Sequence, residues 1–266
     1  MKHEEEIARA TGIVGYSTLL SRIVGYVRDM VIAYFFGATA ETDAYFVAFR
    51  IPNLLRRLLA EGSLTVSFIP VFTEYLEKKS REEAKKVSDI TFTLLSIVLI
   101  LVSIAGILLS PFIIKLFASG FKAETFNLAV KLNQIMFPFI FVVSLSALAM
   151  GILNSLNYFF APAFSTVIFN VVSIAVIFLA YQRLHPPVFS LAIGVIIGGF
   201  IQLIFQIPFL KRRGFLFAFR KNLRHPAVKK IALLMTPQLF GVAIYFIFEN
   251  YRSVLHKNYR FLHLQF

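Results

Sequence analysis

The sequence predicts an all-α polytopic membrane protein with about seven transmembrane helices, and both its composition and the spacing of its apolar stretches predict this class. Hydrophobic residues make up 58% of the 266 residues and charged residues only 15%, against about 45–50% and about 25% in soluble domains. The mean hydropathy of +0.75 would force a water-soluble fold to expose very large apolar patches. The 31 phenylalanines and the absence of cysteine also exclude a disordered chain and a disulfide scaffold.

The apolar stretches are counted by length, because a transmembrane helix needs about 20 mostly apolar residues to cross about 30 Å of hydrocarbon. Five stretches meet this requirement plainly, at about residues 90–117, 129–153, 163–181, 188–210 and 231–248. Two earlier stretches, at about residues 8–36 and 44–75, are long enough but carry charged side chains. We predict that all seven cross the membrane and form one lobe over residues 1–245.

The positions of Lys and Arg predict the orientation. The loops after the second and sixth stretches contain thirteen of these residues, whereas the loops after the first, third and fifth contain three. Because basic residues are enriched in cytoplasmic loops, this asymmetry predicts a bacterial inner-membrane protein with a cytoplasmic N-terminus. The net charge of +13 is thereby assigned to loops, and no nucleic-acid partner is expected.

Two segments lie outside the predicted spans. The basic connection at residues 211–230 is amphipathic in part, and we expect it to lie on the anionic cytoplasmic leaflet in contact with membrane lipids. Residues 246–266 form an atypical basic tail. We interpret that tail either as a short periplasmic extension or as a chain end that is not part of the native fold.

The first two stretches contain most of the charge that lies within the predicted spans. Their five arginines are Arg22, Arg28, Arg50, Arg56 and Arg57. An arginine at the membrane centre costs about 2.5–3.5 kcal/mol on insertion scales, and only those near helix ends can snorkel to the interface. Asp29, which shares a helix face with Arg22, and Glu61 are the acidic residues that oppose them. Because guanidinium groups bind phosphate bidentately, the excess of arginine predicts a hydrated cavity for a phosphate- or carboxylate-bearing substrate.

Helical spacing sorts the polar side chains of the second stretch. Asn53, Arg57 and Glu61 follow one another at four-residue intervals and therefore share a face. We expect Arg57 and Glu61 to form an intrahelical ion pair and Arg56 to project elsewhere. A salt bridge within the same helix remains the alternative interpretation of Arg28 and of Arg56.

Catalytic and metal-binding patterns are absent from the sequence. It contains no phosphate-binding glycine loop, no HExxH motif and no nucleophile elbow. His185 and His225 have no partner at the spacing of metal ligands. We therefore predict a protein that is not an enzyme and has no cofactor and no metal site.

Several motifs resemble those of the MurJ (MviN) lipid II flippase family. They are residues 21–29 (SRIVGYVRD), 36–38 (FGA), 42–49 (TDAYFVAF), 52–57 (PNLLRR), 60–62 (AEG), 68–70 (FIP), 151–154 (GILN), 162–164 (PAF) and Asn170. The resemblance runs over about residues 11–243. It implies the N-terminal lobe of a fourteen-helix protein of the multidrug/oligosaccharidyl-lipid/polysaccharide exporter superfamily, whose two lobes surround a central cavity.

The resemblance also implies a substrate and a set of site residues. The family moves the undecaprenyl-diphosphate-linked peptidoglycan precursor, lipid II, from the cytoplasmic to the periplasmic leaflet by alternating access. Arg22, Arg28 and Arg56 match its cavity arginines, and we add Asn53 to this predicted substrate-binding set. The residues that match acidic positions of the cavity or the outward gate are Asp29, Asp43 and Glu61.

Two alternatives remain open at this point. The sequence has helices for one lobe only, so it is also consistent with a truncated half-protein that does not transport, or with one that needs a separate C-terminal half. The second alternative is a related exporter of another polyprenyl-linked saccharide or of a drug. An exporter of organic cations would need carboxylates in the cavity, and the excess of arginine argues against it.

Overall fold

The computed structural model describes residues 2–56, 64–118 and 120–237, and within them every regular element is a helix. The helices are α1 (Lys2–Phe36), α2 (Ala40–Arg56), α3 (Thr65–Lys78), α4 (Arg81–Phe117), α5 (Ala123–Met136), α6 (Phe139–Ser155), α7 (Phe160–Ala180) and α8 (Phe189–Arg212). A further helical segment covers residues 226–237. The predicted all-α class is confirmed.

Four helical stretches of the described residues are long and apolar enough to cross a membrane. They are Arg81–Phe117, Ala123–Ser155, Phe160–Ala180 and Phe189–Arg212, and they contain the third to sixth predicted spans. α1 contains the first predicted span and is not among the four, since its arginines and small polar residues lower its hydropathy.

The remaining two predicted spans are described only in part. Residues 44–75 are divided between α2, with 17 residues, and α3, with 14, each shorter than the about 20 residues that a crossing needs. Residues 57–63 between these helices, most of the predicted span at 231–248 and the whole tail at 246–266 lie outside the described residues.

α4 begins well before its apolar stretch. Ser80 has an extended backbone, and its hydroxyl accepts a hydrogen bond from the backbone N–H of Glu83 at 3.2 Å. Glu82 and Glu83 in the first turn complement the positive end of the helix. With 37 residues at about 1.5 Å each, the helix is about 55 Å long, so its charged first turns extend beyond the hydrocarbon layer.

The single span predicted at residues 129–153 is divided into two helices. Pro138 has no N–H to donate to the preceding turn, and α5 ends at Met136 while α6 begins at Phe139. The break places the ring of Phe137 against α4, where a Cβ on Gly106 would lie only 1.9 Å from it. Only glycine fits at position 106 in this arrangement.

Helix pairs bring the polar residues of the lobe together. α1 packs on α7, α2 on α5, and both α6 and α7 on α8. The α7–α8 pair is close, since a Cβ on Gly198 would lie 3.0 Å from the carbonyl oxygen of Phe169. On the outside, large apolar side chains such as Leu101, Leu108 and Phe112 are exposed along α4, which suits contact with lipid.

The connection after α8 packs against α3 and α4. Gly214 has a φ of +74°, and the chain then turns so that the buried ring of Phe215 meets that of Phe72. Phe217 stacks on Phe92 with ring centroids 4.5 Å apart. The predicted contact of residues 211–230 with the leaflet therefore does not involve these two rings, and Leu216 and Phe219 are the large apolar residues of the connection that are exposed.

Candidate substrate-binding cavity

A cavity of about 770 Å³ opens between α1, α2, α6, α7 and α8. Its polar and charged lining residues are Ser21, Arg22, Tyr26, Arg28, Asp29, Asn53, Arg56, Asn154, Thr166, Asn170 and Gln202. The structure thus brings together the four residues predicted to bind substrate, which come from α1 and α2. Apolar side chains such as Phe139, Phe169 and Met150 complete the lining.

Arg28 is held by two different groups. Its Nη2 donates to Asp29 Oδ1 at 2.8 Å and its Nε donates to the same oxygen at 3.1 Å. Its Nη1 donates to Asn170 Oδ1 at 2.9 Å. The Arg28 side chain is 29% exposed and that of Asp29 is 64% exposed, so the ion pair lies at the open side of the cavity.

Asn170 positions this arginine from α7. Its Nδ2 donates to the carbonyl oxygen of Thr166 at 3.1 Å and lies 3.5 Å from that of Ser21. These contacts leave Oδ1 turned toward Arg28 and tie α7 to α1. The amide of Asn170 is therefore oriented before any ligand arrives.

Arg56 lies in the last turn of α2. Its Nε donates to Asn53 Oδ1 at 3.0 Å, so the two side chains share the cavity face. This contact is possible because residues three apart in a helix are neighbours. That Arg56 projects away from Arg57 and Glu61 stays a prediction. Arg57 and Glu61 lie outside the described residues, and their ion pair stays a prediction.

Arg22 is the least constrained of the three cavity arginines. Within residues 2–56, 64–118 and 120–237 the structure shows no hydrogen bond or ion pair to its guanidinium group. Among the described lining residues there are three guanidinium groups and one carboxylate, Asp29, which leaves a net charge of +2. Such a cavity is complementary to an anion with two or more charges.

Asp43 does not line the cavity. It is exposed in the first turn of α2, at the opposite end of that helix from Arg56. There its carboxylate complements the positive end of the helix. Of the two places predicted for Asp43, the cavity or the outward gate, the outward gate stays a prediction.

Sequence reasoning missed three amide side chains of the lining, Asn154, Asn170 and Gln202, as site residues. Asn170 belongs to a recognised motif, but its contact with Arg28 joins residues 142 positions apart. Within the described part of the chain no group of three or more His, Asp or Glu side chains could hold a metal ion.

Comparisons with known proteins identify the family. The family profile described as "Lipid II flippase MurJ" matches residues 32–251. The lipid II flippase MurJ of Burkholderia cenocepacia is 40% identical over 242 residues, which are 89% of this chain and 47% of that protein. The probable lipid II flippase MurJ of Vibrio cholerae is 38% identical over 241 residues, 87% of this chain and 46% of that protein.

Solved structures have the same fold. One of them is a lipid II flippase MurJ in an inward closed conformation, with a TM-score of 0.72 and 29% sequence identity. The match covers 87% of this chain and 47% of the chain in that structure. A transporter of the MOP superfamily from Pyrococcus furiosus has a TM-score of 0.73 and 15% sequence identity, and the match covers 88% of this chain and 52% of that one. At this identity the similarity shows the fold alone. The chain spans about half the length of the curated relatives it matches. It is a membrane protein that belongs to the lipid II flippase MurJ family.

Proposed function

We propose that this chain forms the N-terminal lobe of a lipid II flippase. The complete, two-lobed protein would move the undecaprenyl-diphosphate-linked peptidoglycan precursor from the cytoplasmic to the periplasmic leaflet by alternating access, for cell wall synthesis. The observation that carries the proposal is the cavity in which Arg22, Arg28 and Arg56 come together. A lipid diphosphate carries the charge opposite to that of these three guanidinium groups.

The three arginines would bind the diphosphate in different ways. Arg22 has no competing partner among the described residues, so its planar set of N–H donors can meet a phosphate directly. Asn53 bonds Arg56 through its Nε, and the planar guanidinium group of Arg56 has the shape to meet a phosphate bidentately. A phosphate would compete with Asp29 for Arg28, and an ion pair as exposed as this one is worth only about 0–1 kcal/mol.

Asp29 would also assist release. When the cavity is empty, its carboxylate compensates the charge of Arg28. When a diphosphate leaves, the same carboxylate can take its place without a large movement. Binding and release would therefore be exchange reactions of one guanidinium group between two anions, and no catalytic step is proposed.

We place the lobe in the bacterial inner membrane with its N-terminus in the cytoplasm. The distribution of Lys and Arg in the loops supports this orientation. In it, an inside-negative membrane potential favours outward movement of an anionic head group by about 2.3 kcal/mol per charge per 100 mV.

The test of the proposed function is binding of lipid II to the chain reconstituted in lipid nanodiscs. The double variant Arg28→Ala/Arg56→Ala should bind at least about 100-fold more weakly, since two charge-assisted contacts are lost. Arg50→Ala is the control. Arg50 is in α2, as Arg56 is, but it lies against the ring of Phe117 and does not line the cavity. Unchanged binding by the double variant would overturn the proposal.

Transport is tested on a two-lobed protein. A chimera that carries this chain in place of the N-terminal half of a full-length relative should move lipid II between the leaflets of proteoliposomes. A chain that binds lipid II but yields an inactive chimera is the non-transporting half-protein. Tighter binding of another polyprenyl-linked saccharide in competition would favour the related exporter.

A further inference from the structure

α2 has two parts with different surroundings, and Pro52 lies between them. Before Pro52, the fully buried residues Ala44 and Ala48 pack in an apolar cluster that α2 shares with α5. After Pro52, α2 carries Asn53 and Arg56 to the lining of the cavity. A proline inside a helix removes one backbone hydrogen bond and bends the helix. The course of α2 beyond Pro52 therefore determines where its cavity side chains lie.

Asn133 of α5 supplies the donor that Pro52 removes from α2. The carbonyl oxygen of Ala48, four residues before Pro52, accepts a hydrogen bond from the buried side-chain amide of Asn133. Ser110 of α4 orients that amide, because its hydroxyl donates to the Oδ1 of Asn133. Two neighbouring helices thus hold the opened turn of α2 in one geometry.

The chain of α5 and α6 also bends at this level. The break between these helices lies at Phe137 and Pro138. The ring of Phe137 packs in a small apolar cluster with Ile51, the residue that immediately precedes Pro52. The two bends are therefore neighbours, and α2 packs on both α5 and α6.

From these contacts we propose that Asn133 is a positioning residue for Arg56. It holds the bend of α2 at Pro52 and thereby sets the place of the Arg56 guanidinium group in the cavity. This inference rests on the proposed function. Asn133 is fully buried and does not line the cavity, so it acts through α2 and does not touch the substrate.

The size of the effect follows from the geometry of the helix. Pro52 and Arg56 are four residues apart, which is about 6 Å along a helix. A bend of about 20° acting over this length moves the Cα atom of Arg56 by about 2 Å. Because a bidentate contact needs two parallel N–H···O bonds, a displacement of this size would disrupt the contact of Arg56 with a phosphate.

The adjacent residue Gln134 separates positioning from stability. Its Nε2 donates to the carbonyl oxygen of Ile107, four residues before Pro111 in α4. Gln134 therefore serves a proline-containing helix as Asn133 does, but α4 contributes no residue to the described lining of the cavity. Loss of either amide leaves a carbonyl group unpaired, and only the loss of Asn133 acts on α2.

The experiment measures the affinity for undecaprenyl diphosphate and the thermal unfolding of the chain in lipid nanodiscs. Asn133→Leu should bind about 10-fold more weakly, the loss expected for one charge-assisted contact. Gln134→Met is the matched control: it should also lower the unfolding temperature, but its affinity should stay within about twofold of the wild-type value.

The double variant Asn133→Leu/Pro52→Ala separates the two roles within α2. Ala at position 52 returns an N–H to the Ala48 carbonyl, so the unfolding temperature should recover in part. The affinity should stay low, because α2 is then no longer bent at this position.

The position of α2 is measured without any ligand. The chain contains no cysteine, so Leu54→Cys in α2 and Ile204→Cys in α8 provide the only two sites for spin labels. The distance between the labels should change in Asn133→Leu and in the double variant, and should stay unchanged in Gln134→Met.

Three results would overturn the positioning role of Asn133. They are an unchanged affinity of Asn133→Leu, equal weakening of binding by Asn133→Leu and Gln134→Met, and recovery of both stability and affinity in the double variant. If Asn133→Leu folds poorly, the double variant answers the question, since its backbone donor is restored. A wild-type chain that does not bind undecaprenyl diphosphate contradicts the proposed function, and an unchanged label distance in the Asn133 variants contradicts the positioning of α2.

Discussion

The side-chain amide of Asn133 donates a hydrogen bond of 2.6 Å to the backbone carbonyl oxygen of Ala48. Pro52 follows Ala48 by four residues in α2 and has no N–H, so the helix itself cannot supply the donor that this carbonyl needs. Asn133 is fully buried in α5. Its Oδ1 accepts a hydrogen bond from Ser110 Oγ at 2.8 Å, which fixes the direction of the amide.

The next residue of α5 has the same relationship with α4. Pro111 lies within α4 and leaves the carbonyl oxygen of Ile107 without its helical donor. Gln134 Nε2 lies 3.4 Å from that oxygen. Two adjacent amides of α5 therefore serve two proline-containing helices, one of which carries Asn53 and Arg56 to the cavity.

The first prediction is that Asn133→Leu destabilises the chain by about 1–3 kcal/mol, because the Ala48 carbonyl is left buried and unpaired. Pro52→Ala returns an N–H to the helix and should recover part of this loss in the double variant. Thermal unfolding of the four proteins in detergent measures the coupling. Strictly additive effects would show that Asn133 does not compensate for Pro52.

The second prediction concerns Asp89, which is fully buried near the start of α4. Its carboxylate is bonded by Lys85, by Arg220 Nε at 3.2 Å and by the backbone N–H of Ala218 at 3.1 Å. It therefore holds the connection after α8 on the lobe. Asp89→Ala should raise the rate of tryptic cleavage after Arg220 and Lys221 by at least about 10-fold, because local opening exposes the backbone to protease.

Glu82→Ala is the control for this prediction. Glu82 is exposed on the same part of α4 and has no bond to the connection among the described contacts. Cleavage of the two variants at equal rates would mean that the rings of Phe215 and Phe217, not the carboxylate, hold the segment.

The arginine site could be predicted from the sequence because charge within an apolar stretch is costly wherever the helices pack. The amides could not be predicted in this way. Asn133 and Gln206 satisfy groups inside the fold, whereas Asn154 and Gln202 face the cavity. The residue types are the same, and only the tertiary contacts separate structural amides from those available to a ligand.

The pair formed by Arg28 and Asp29 illustrates the same limit. Adjacent residues point about 100° apart on a helix, and spacing rules do not pair them. The long side chain of Arg28 nevertheless bends back to the carboxylate, because Asn170 on α7 holds its other nitrogen. The arrangement depends on a helix that is distant in the sequence.

The third prediction is that Gly198→Val separates α7 from α8 and lowers stability by about 1–3 kcal/mol. A Cβ at this position would lie 2.9 Å from Ser173 Oγ and 3.0 Å from the carbonyl oxygen of Phe169. Gly15→Ala is the control, since a Cβ there meets nothing within 4 Å. Comparable losses of thermal stability in both variants would contradict a specific packing role for Gly198.

The fourth prediction tests the exchange of anions at Arg28. Asp29→Asn removes the one carboxylate among the described lining residues and raises the net charge of the cavity from +2 to +3. Undecaprenyl diphosphate should therefore bind about 3- to 10-fold more tightly and dissociate more slowly, because the phosphate no longer competes with a carboxylate. Asn170→Asp should have the opposite effect, since a second carboxylate would then face Arg28 at the position of an oxygen that already accepts its hydrogen bond.

Dissociation rates measured by surface plasmon resonance at two salt concentrations distinguish this electrostatic exchange from a change in the shape of the cavity, because only the electrostatic effect weakens as salt increases. Affinities that change in the same direction in both variants would mean that Asp29 and Asn170 shape the cavity and do not set its charge.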